Sequence, residues 1–352
     1  MPSRPIGTAR RRSRLRLTRA LLSVATIGAT AFTLSGCGLL SGADGSNATG
    51  GDAGLEKPTI VIGSLPALSQ APVALAQAKG YFQDEGLNVK VQPVGDGPAA
   101  LTSLLSGQND ISLGSYTAPI KAQATGAGDL KFVSEMMVSV PNNMNIMTLP
   151  NSSVKKPEDL SNAKIAISAP GAITDIGAKA ALQERGVDIR NAEFVKFGFP
   201  DMLPALQNGQ VDAAVMTEPF ITQAAKNAGA TTVVDCFSGG TSDFPVAGAT
   251  TTAKFAQENP KTLQAFQRAV QRAQLTGQNR AEVTPLLPQF AKITPELAPI
   301  VELGKIPTSM DAARLQRVSE LMKRFGQIGK EVAVSKMLVQ PPPLEEAQPA
   351  GR

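Results

Sequence analysis

One phrase occurs twice in this chain and limits how it can fold. Ser106-Gly107-Gln108-Asn109-Asp110-Ile111-Ser112-Leu113-Gly114-Ser115 is echoed by Asn208-Gly209-Gln210-Val211-Asp212-Ala213-Ala214-Val215-Met216-Thr217, 102 residues further on. Each copy reads as a helix end, Gly, Gln, any residue, Asp, a short apolar strand, a hydroxyl residue and a new helix. Gly suits the left-handed residue that closes a helix. The apolar run suits a buried parallel strand. Ser115 and Thr217 then stand at the carboxyl ends of strands, where open α/β sheets bind ligands. The spacing is too long for a solenoid repeat and predicts two α/β lobes facing a shared cleft.

A chain of 352 residues is long enough for two such lobes. The formal charge of +5 comes from the start of the chain. Seven arginines and no acid precede Cys37, and beyond them 27 basic residues stand against 29 acidic ones. No basic patch for nucleic acid is left at the level of composition. The leader joins a positive region to an apolar stretch from Ala20 to Leu34, a secretory layout. It is shorter than the ~20 apolar residues a spanning helix needs. Leu34-Ser35-Gly36-Cys37 resembles a bacterial lipobox, which implies a lipoprotein signal peptide over 1–36 and lipidation of Cys37. Arg11-Arg12-Ser13-Arg14 partly resembles a twin-arginine signal, so the export route stays open. The Gly/Ser/Asn/Asp-rich stretch 37–57 reads as a flexible tether of about 25 Å root-mean-square span.

The rest alternates strands and helices: Thr59–Gly63, Asn88–Val94, Leu130–Val138 and Asn145–Leu149 as strands of one half, Lys164–Ser168, Glu193–Phe197 and Thr231–Val234 as strands of the other. Amphipathic helices follow over 260–278 and 311–325. The Pro-rich tail 339–352 reads as disordered.

Gly63-Ser64-Leu65-Pro66, then Ala78-Lys79-Gly80-Tyr81-Phe82-Gln83-Asp84-Glu85-Gly86-Leu87-Asn88-Val89, the two Gly-Gln-x-Asp phrases, Pro157-Glu158-Asp159-Leu160 and Glu218-Pro219 form an ordered series. It resembles the substrate-binding proteins of ABC importers, of the nitrate/sulfonate/taurine and thiamine-pyrimidine-precursor (NMT1-like) type, over about residues 58–335. The resemblance implies an α/β, two-lobed periplasmic-binding-protein (type II) fold with hinge closure. It also implies a small polar or anionic ligand (nitrate-, sulfonate- or taurine-like) and an ABC permease with its ATPase as partners; with the lipobox, the expectation is a lipid-anchored monomer on the extracytoplasmic face. The expected lobes are 58–147 plus 246–338, and 148–245.

Catalytic chemistry has little to work with. The chain has no histidine, no Gly-x-Ser-x-Gly elbow and no Gly-x-x-x-x-Gly-Lys-Ser/Thr loop. Cys37 and Cys236 are its two cysteines, so no zinc-ligand cluster is formed and no cofactor is expected. Histidine and a cysteine cluster serve the related eukaryotic pyrimidine synthases, which argues against that activity. Binding groups are easier to nominate. Ser64, Ser115 and Thr217 either meet a ligand or cap helices. Glu218 either meets a ligand or caps the helix it opens. Tyr116 either lines the cleft or packs in a core. Asn142 sits near the first passage between lobes. Gly171, Ala172 and Thr174 open a helix whose free N–H groups suit an anion, unless Asp175 already satisfies them. With no tryptophan and 4% aromatics, composition argues against extensive ring stacking on a ligand.

Overall fold

The computed structural model describes residues 54–343. The signal peptide expected over 1–36, Cys37, most of the tether and residues 344–352 lie outside the described residues.

Both copies of the phrase form the same knot of backbone bonds. Gly107 (φ 76°) and Gly209 (φ 63°) take the left-handed conformation open to glycine. Gln108 N–H then donates to Ser103 O and Gln210 N–H to Ala205 O, both 2.9 Å, which closes a Schellman motif on the preceding helix. The aspartate next ties the new strand to its neighbour twice. Asp110 N–H donates to Val61 O (2.9 Å) while its Oδ2 accepts from Val61 N–H (2.9 Å). Asp212 does the same to Lys164, at 2.8 and 2.7 Å. The phrase therefore builds strand register, and its hydroxyl residue is carried to the strand end as a consequence.

Among the described residues, ten strands divide equally between two sheets. The first holds β1 (Thr59–Ser64), β2 (Asn88–Pro93), β3 (Ile111–Gly114), β4 (Leu130–Val138) and β10 (Pro245–Thr252), in the order β2-β1-β3-β10-β4. The second holds β5 (Met144–Thr148), β6 (Lys164–Ile167), β7 (Glu193–Lys196), β8 (Ala213–Thr217) and β9 (Thr231–Asp235), in the order β7-β6-β8-β5-β9. In each, three strands run parallel and the fourth position is antiparallel to both neighbours. That antiparallel strand enters from the other lobe, so the chain crosses twice, at 139–143 and 236–244. The expected boundary at 147/148 is displaced: β5 pairs wholly with β8 and β9, because its apolar run is buried on both faces of the second sheet. The two crossings are bonded together, Ser139 N–H to Phe244 O (2.8 Å) and Phe244 N–H to Ser139 Oγ (2.7 Å).

Eight helices of eight or more residues accompany the described strands: α1 (Ala71–Ala78), α2 (Gly97–Leu105), α3 (Thr117–Thr125), α4 (Ile173–Glu184), α5 (Phe199–Gln207), α6 (Phe220–Ala228), α7 (Pro260–Thr276) and α8 (Ala312–Arg324). Helix α8, expected within the first lobe alone, packs on α3 of one lobe and α4 of the other. Leu315, Val318 and Met322 recur at helical spacing and are fully buried. They share one apolar cluster with Ile120 and Phe132 of the first lobe and with Ile146 and Ile176 of the second. Burial of each such side chain contributes about 1.5–3 kcal/mol as an upper estimate.

Two expected ends are more ordered than their composition implies. Glu56 accepts hydrogen bonds from the N–H groups of Lys261 and Thr262 at the start of α7, and Lys57 pairs with Asp110 (2.6 Å). Free N–H groups at that helix start draw in the carboxylate, so the tether ends before Glu56. Val339, assigned to the tail, donates to Phe132 O and accepts from Gln267 Nε2 (2.9 and 2.8 Å), which extends the edge of β4.

Candidate functional site: the strand ends between the lobes

The carboxyl ends of β1, β2 and β3 in one lobe and of β6, β7 and β8 in the other meet across the two crossings. Lys196, the last residue of β7, reaches Asp96 at the start of α2 (3.7 Å). Both side chains are about half exposed, so this pair contributes little to stability, roughly 0–1 kcal/mol. Its value is geometric: it marks where the strand-end loops of the lobes face each other.

A second contact lies beside the first crossing. Glu218 follows β8 and is 8% exposed. Its Oε2 accepts from Thr222 N–H (3.2 Å), and its Oε1 accepts from the Thr222 hydroxyl (2.7 Å) and from Glu302 N–H (3.2 Å). Asn143 Nδ2 donates to the carbonyl of Glu302 (3.2 Å). The Glu302 residue is thus held by a second-lobe carboxylate on one side and by the crossing on the other. Burial foremost pushes the Glu218 carboxyl above its ordinary value, and the bonds from Thr222 and Glu302 N–H pull against that. Glu218 caps the first turn of α6 and ties the second lobe to residue 302; the sequence carried the first role and not the second.

The hydroxyls sort differently. Ser64 is 2% exposed and donates to Leu65 O (3.1 Å), a carbonyl that also accepts from Gln70. Ser115 Oγ accepts from Thr117 N–H (3.4 Å) and lies 3.3 Å from Thr117 Oγ1, a cap on α3. Thr217 keeps partial exposure at the end of β8, beside Met144. Asn142 is exposed with φ 65°, so its role is the turn of the first crossing.

Two nominated positions take the alternative role. Tyr116 is 1% exposed, sets its ring edge-on to Phe132 at 4.8 Å and donates to Ala247 O (3.2 Å). Its ring is core because the strand end turns it under β10. At the start of α4, Asp175 occupies the place nominated for an anion. Its Oδ2 accepts from Gly171 N–H (2.7 Å), and its Oδ1 pairs with Lys179 Nζ (2.7 Å), with the Asp175 side chain 1% exposed. Thr174 is fully buried, its Oγ1 accepting from Ser168 N–H (3.0 Å) and sharing a 2.8 Å bond with Ser168 Oγ. Ala172, the cap residue, stays partly exposed, while the Gln327 side chain covers Gly171.

Composition hid one feature. Phe199 and Phe220, the first residues of α5 and α6, stack at 5.4 Å with an 11° interplanar angle and are only partly buried. Lys196-Phe197-Gly198-Phe199 was the available signal, since a Gly before a helix start exposes the next ring at a strand end.

The second crossing is held by α8. Arg314 pairs with Glu135 of β4 (2.7 Å) and with Asp243 (3.4 Å). Arg317 donates to the carbonyls of Gly240, Ser242 and Asp243 (2.7, 3.0 and 3.2 Å). Cys236 is fully buried, and burial pushes its thiol far up, away from the reactive thiolate form. Among the described residues no three His, Cys, Asp or Glu side chains cluster to hold a metal, and no helix is long and apolar enough to cross a membrane. A hollow of about 230 Å³ lined by Leu149, Ser152, Leu206, Gln207 and Asp212 lies at the opposite end of the second lobe, away from the strand ends.

Two mixed sheets, two crossings and facing strand ends define a two-lobed, type II periplasmic-binding-protein fold. A crystal structure of the periplasmic aliphatic sulphonate-binding protein SsuA from Escherichia coli superposes with a TM-score of 0.67 at 22% identity, over 84% of this chain and 96% of that one. The desulfurization enzyme DszB has the same architecture, with a TM-score of 0.66 at 15% identity, over 81% and 97%. Fold alone therefore does not separate receptor from enzyme. A Bacillus subtilis (strain 168) protein named for aliphatic sulfonate binding is 28% identical over 251 residues, 69% of this chain and 71% of that protein. The profile of the NMT1/THI5-like family matches residues 68–277, and the chain belongs to that family.

Proposed function

We propose that this protein is the extracytoplasmic solute-binding component of an ABC importer. It takes one small polar ligand between its lobes, closes about the two crossings, and presents the closed form to a membrane permease powered by an ATPase. The observation that carries this reading is the pair of contacts between opposite lobes, Lys196 to Asp96 and Glu218 to Glu302 N–H. A ligand that touches both lobes favours their approach by differential affinity. The expected affinity is near micromolar, about −8 kcal/mol. The absence of histidine from the sequence and the inert state of Cys236 favour binding over turnover. Lipidation at Cys37 would hold the monomer at the extracytoplasmic face.

Titration calorimetry of the full chain against sulfonates, nitrate, taurine and neutral metabolites, with small-angle scattering on the best binder, tests the proposal. One-to-one binding with a fall in radius of gyration is expected. Conversion of a bound compound to product, or binding with no change in shape, refutes it.

A further inference from the structure

The strand-end loops and crossings have an unusual charge balance for a cleft that would hold an anion. Stretches 64–70, 93–99, 115–118, 168–175, 196–200 and 217–220, with crossings 139–143 and 236–244, contain one cation, Lys196. The same stretches contain four acids: Asp96, Asp175, Asp243 and Glu218. Lys196 lies 3.7 Å from Asp96, Lys179 pairs with Asp175, and Arg314 reaches Asp243. Glu218 has three hydrogen-bond donors and no cation among these partners.

The start of α4 gives the same answer independently. At the helix start nominated for an anionic group, the protein's own carboxylate, Asp175, takes the Gly171 N–H from a buried position. Asp175 is in turn paired with Lys179 (2.7 Å), so neither that cation nor the Gly171 N–H is free for an anionic group of a ligand. On the neighbouring helices the strand ends carry apolar surface instead. The stacked rings of Phe199 and Phe220, partly buried against the second lobe's apolar cluster, lie in sequence just beyond Lys196 and Glu218, both of which touch the first lobe.

We infer that the cleft takes a ligand without an anionic group, seated with an apolar face on the Phe199–Phe220 pair and its polar groups toward the partly exposed hydroxyl residues Ser115 and Thr217. This rests on the reading of the chain as a solute receptor. It narrows that reading away from the sulfonate named for its relatives.

Matched probes decide it. The full chain is titrated with benzyl alcohol against benzenesulfonate and with 1-butanol against 1-butanesulfonate, at constant ionic strength, with thermal melting in parallel. The neutral member of each pair is expected to bind at least about tenfold more tightly. Phe199→Leu and Phe220→Leu should each weaken the neutral probe about fivefold or more while melting within a few degrees of wild type. Tighter binding of the sulfonates overturns the inference and leaves the receptor reading standing. Unchanged affinity in both ring variants also overturns it. Binding of no probe of either charge overturns it, and absence of any binder in the wider panel overturns the receptor reading as well.

Discussion

Replacing Arg314 with Met puts the link between the lobes under direct test. Arg314 Nε and Nη2 grip both oxygens of Glu135 at 3.0 and 2.7 Å, and the Glu135 side chain has no exposed surface. Removing one partner of a buried, bidentate pair leaves an uncompensated charge and costs about 3–5 kcal/mol. At about 2 °C per kcal/mol for a chain this long, the melting midpoint should fall by roughly 6–10 °C. Burial foremost raises the Glu135 carboxyl, and Arg314 is what holds it down. Without Arg314 the folded value rises further above the unfolded one. The penalty on the charged form is then full above the folded value and is relieved as pH falls through it. The deficit against wild type should accordingly be larger at pH 8 than at pH 5. Replacing both residues, Glu135→Leu with Arg314→Met, should recover most of the loss, because an apolar pair leaves no stranded charge. Circular-dichroism melts of wild type, the single and the double variant at both pH values measure all of this. A single variant within about 1 kcal/mol of wild type, or a double variant no better than the single, would refute the assignment.

Three other outcomes follow from the same contacts. Asp110→Asn should cost about 1.5–3 kcal/mol in urea unfolding, and Asp212→Asn less, because Asp110 is buried and also pairs with Lys57 whereas Asp212 is exposed; equal losses would contradict this. Glu218→Gln imitates the protonated side chain, so the melting midpoint of wild type relative to this variant should rise as pH is lowered from 8 to 5, burial having raised the carboxyl; a constant gap would remove burial as the controlling cause. Cys37→Ala should release the protein from the membrane fraction and abolish a lipid mass increment; retention without lipid on the wild type would sink the lipobox reading.

Much of the framework was legible before any coordinates. Strand and helix positions follow from periodicity and from glycines, and the phrase around Gly107 and Gly209 works through bonds to residues four or five positions back and to one adjacent strand. Such signals are local, so the sequence carries them whole. It also limited the chemistry, since a chain without histidine and with its second cysteine in an apolar run has few reactive groups to offer.

What the sequence left open depends on segments brought together from far apart. Ser115 and Tyr116 are neighbours, yet one caps a helix while the other turns under β10 to reach Ala247. The pattern of α8 displays an apolar face without saying that two lobes share it. At α4 the sequence leaves four donors at a helix start and an aspartate among them. Whether a ligand or that aspartate fills the place is decided by burial, by Lys179 one turn on and by Gln327 lying over Gly171. Local sequence supplies the unpaired N–H groups, and only tertiary packing chooses the acceptor, because desolvation makes leaving them empty costly and the nearest carboxylate is already in place.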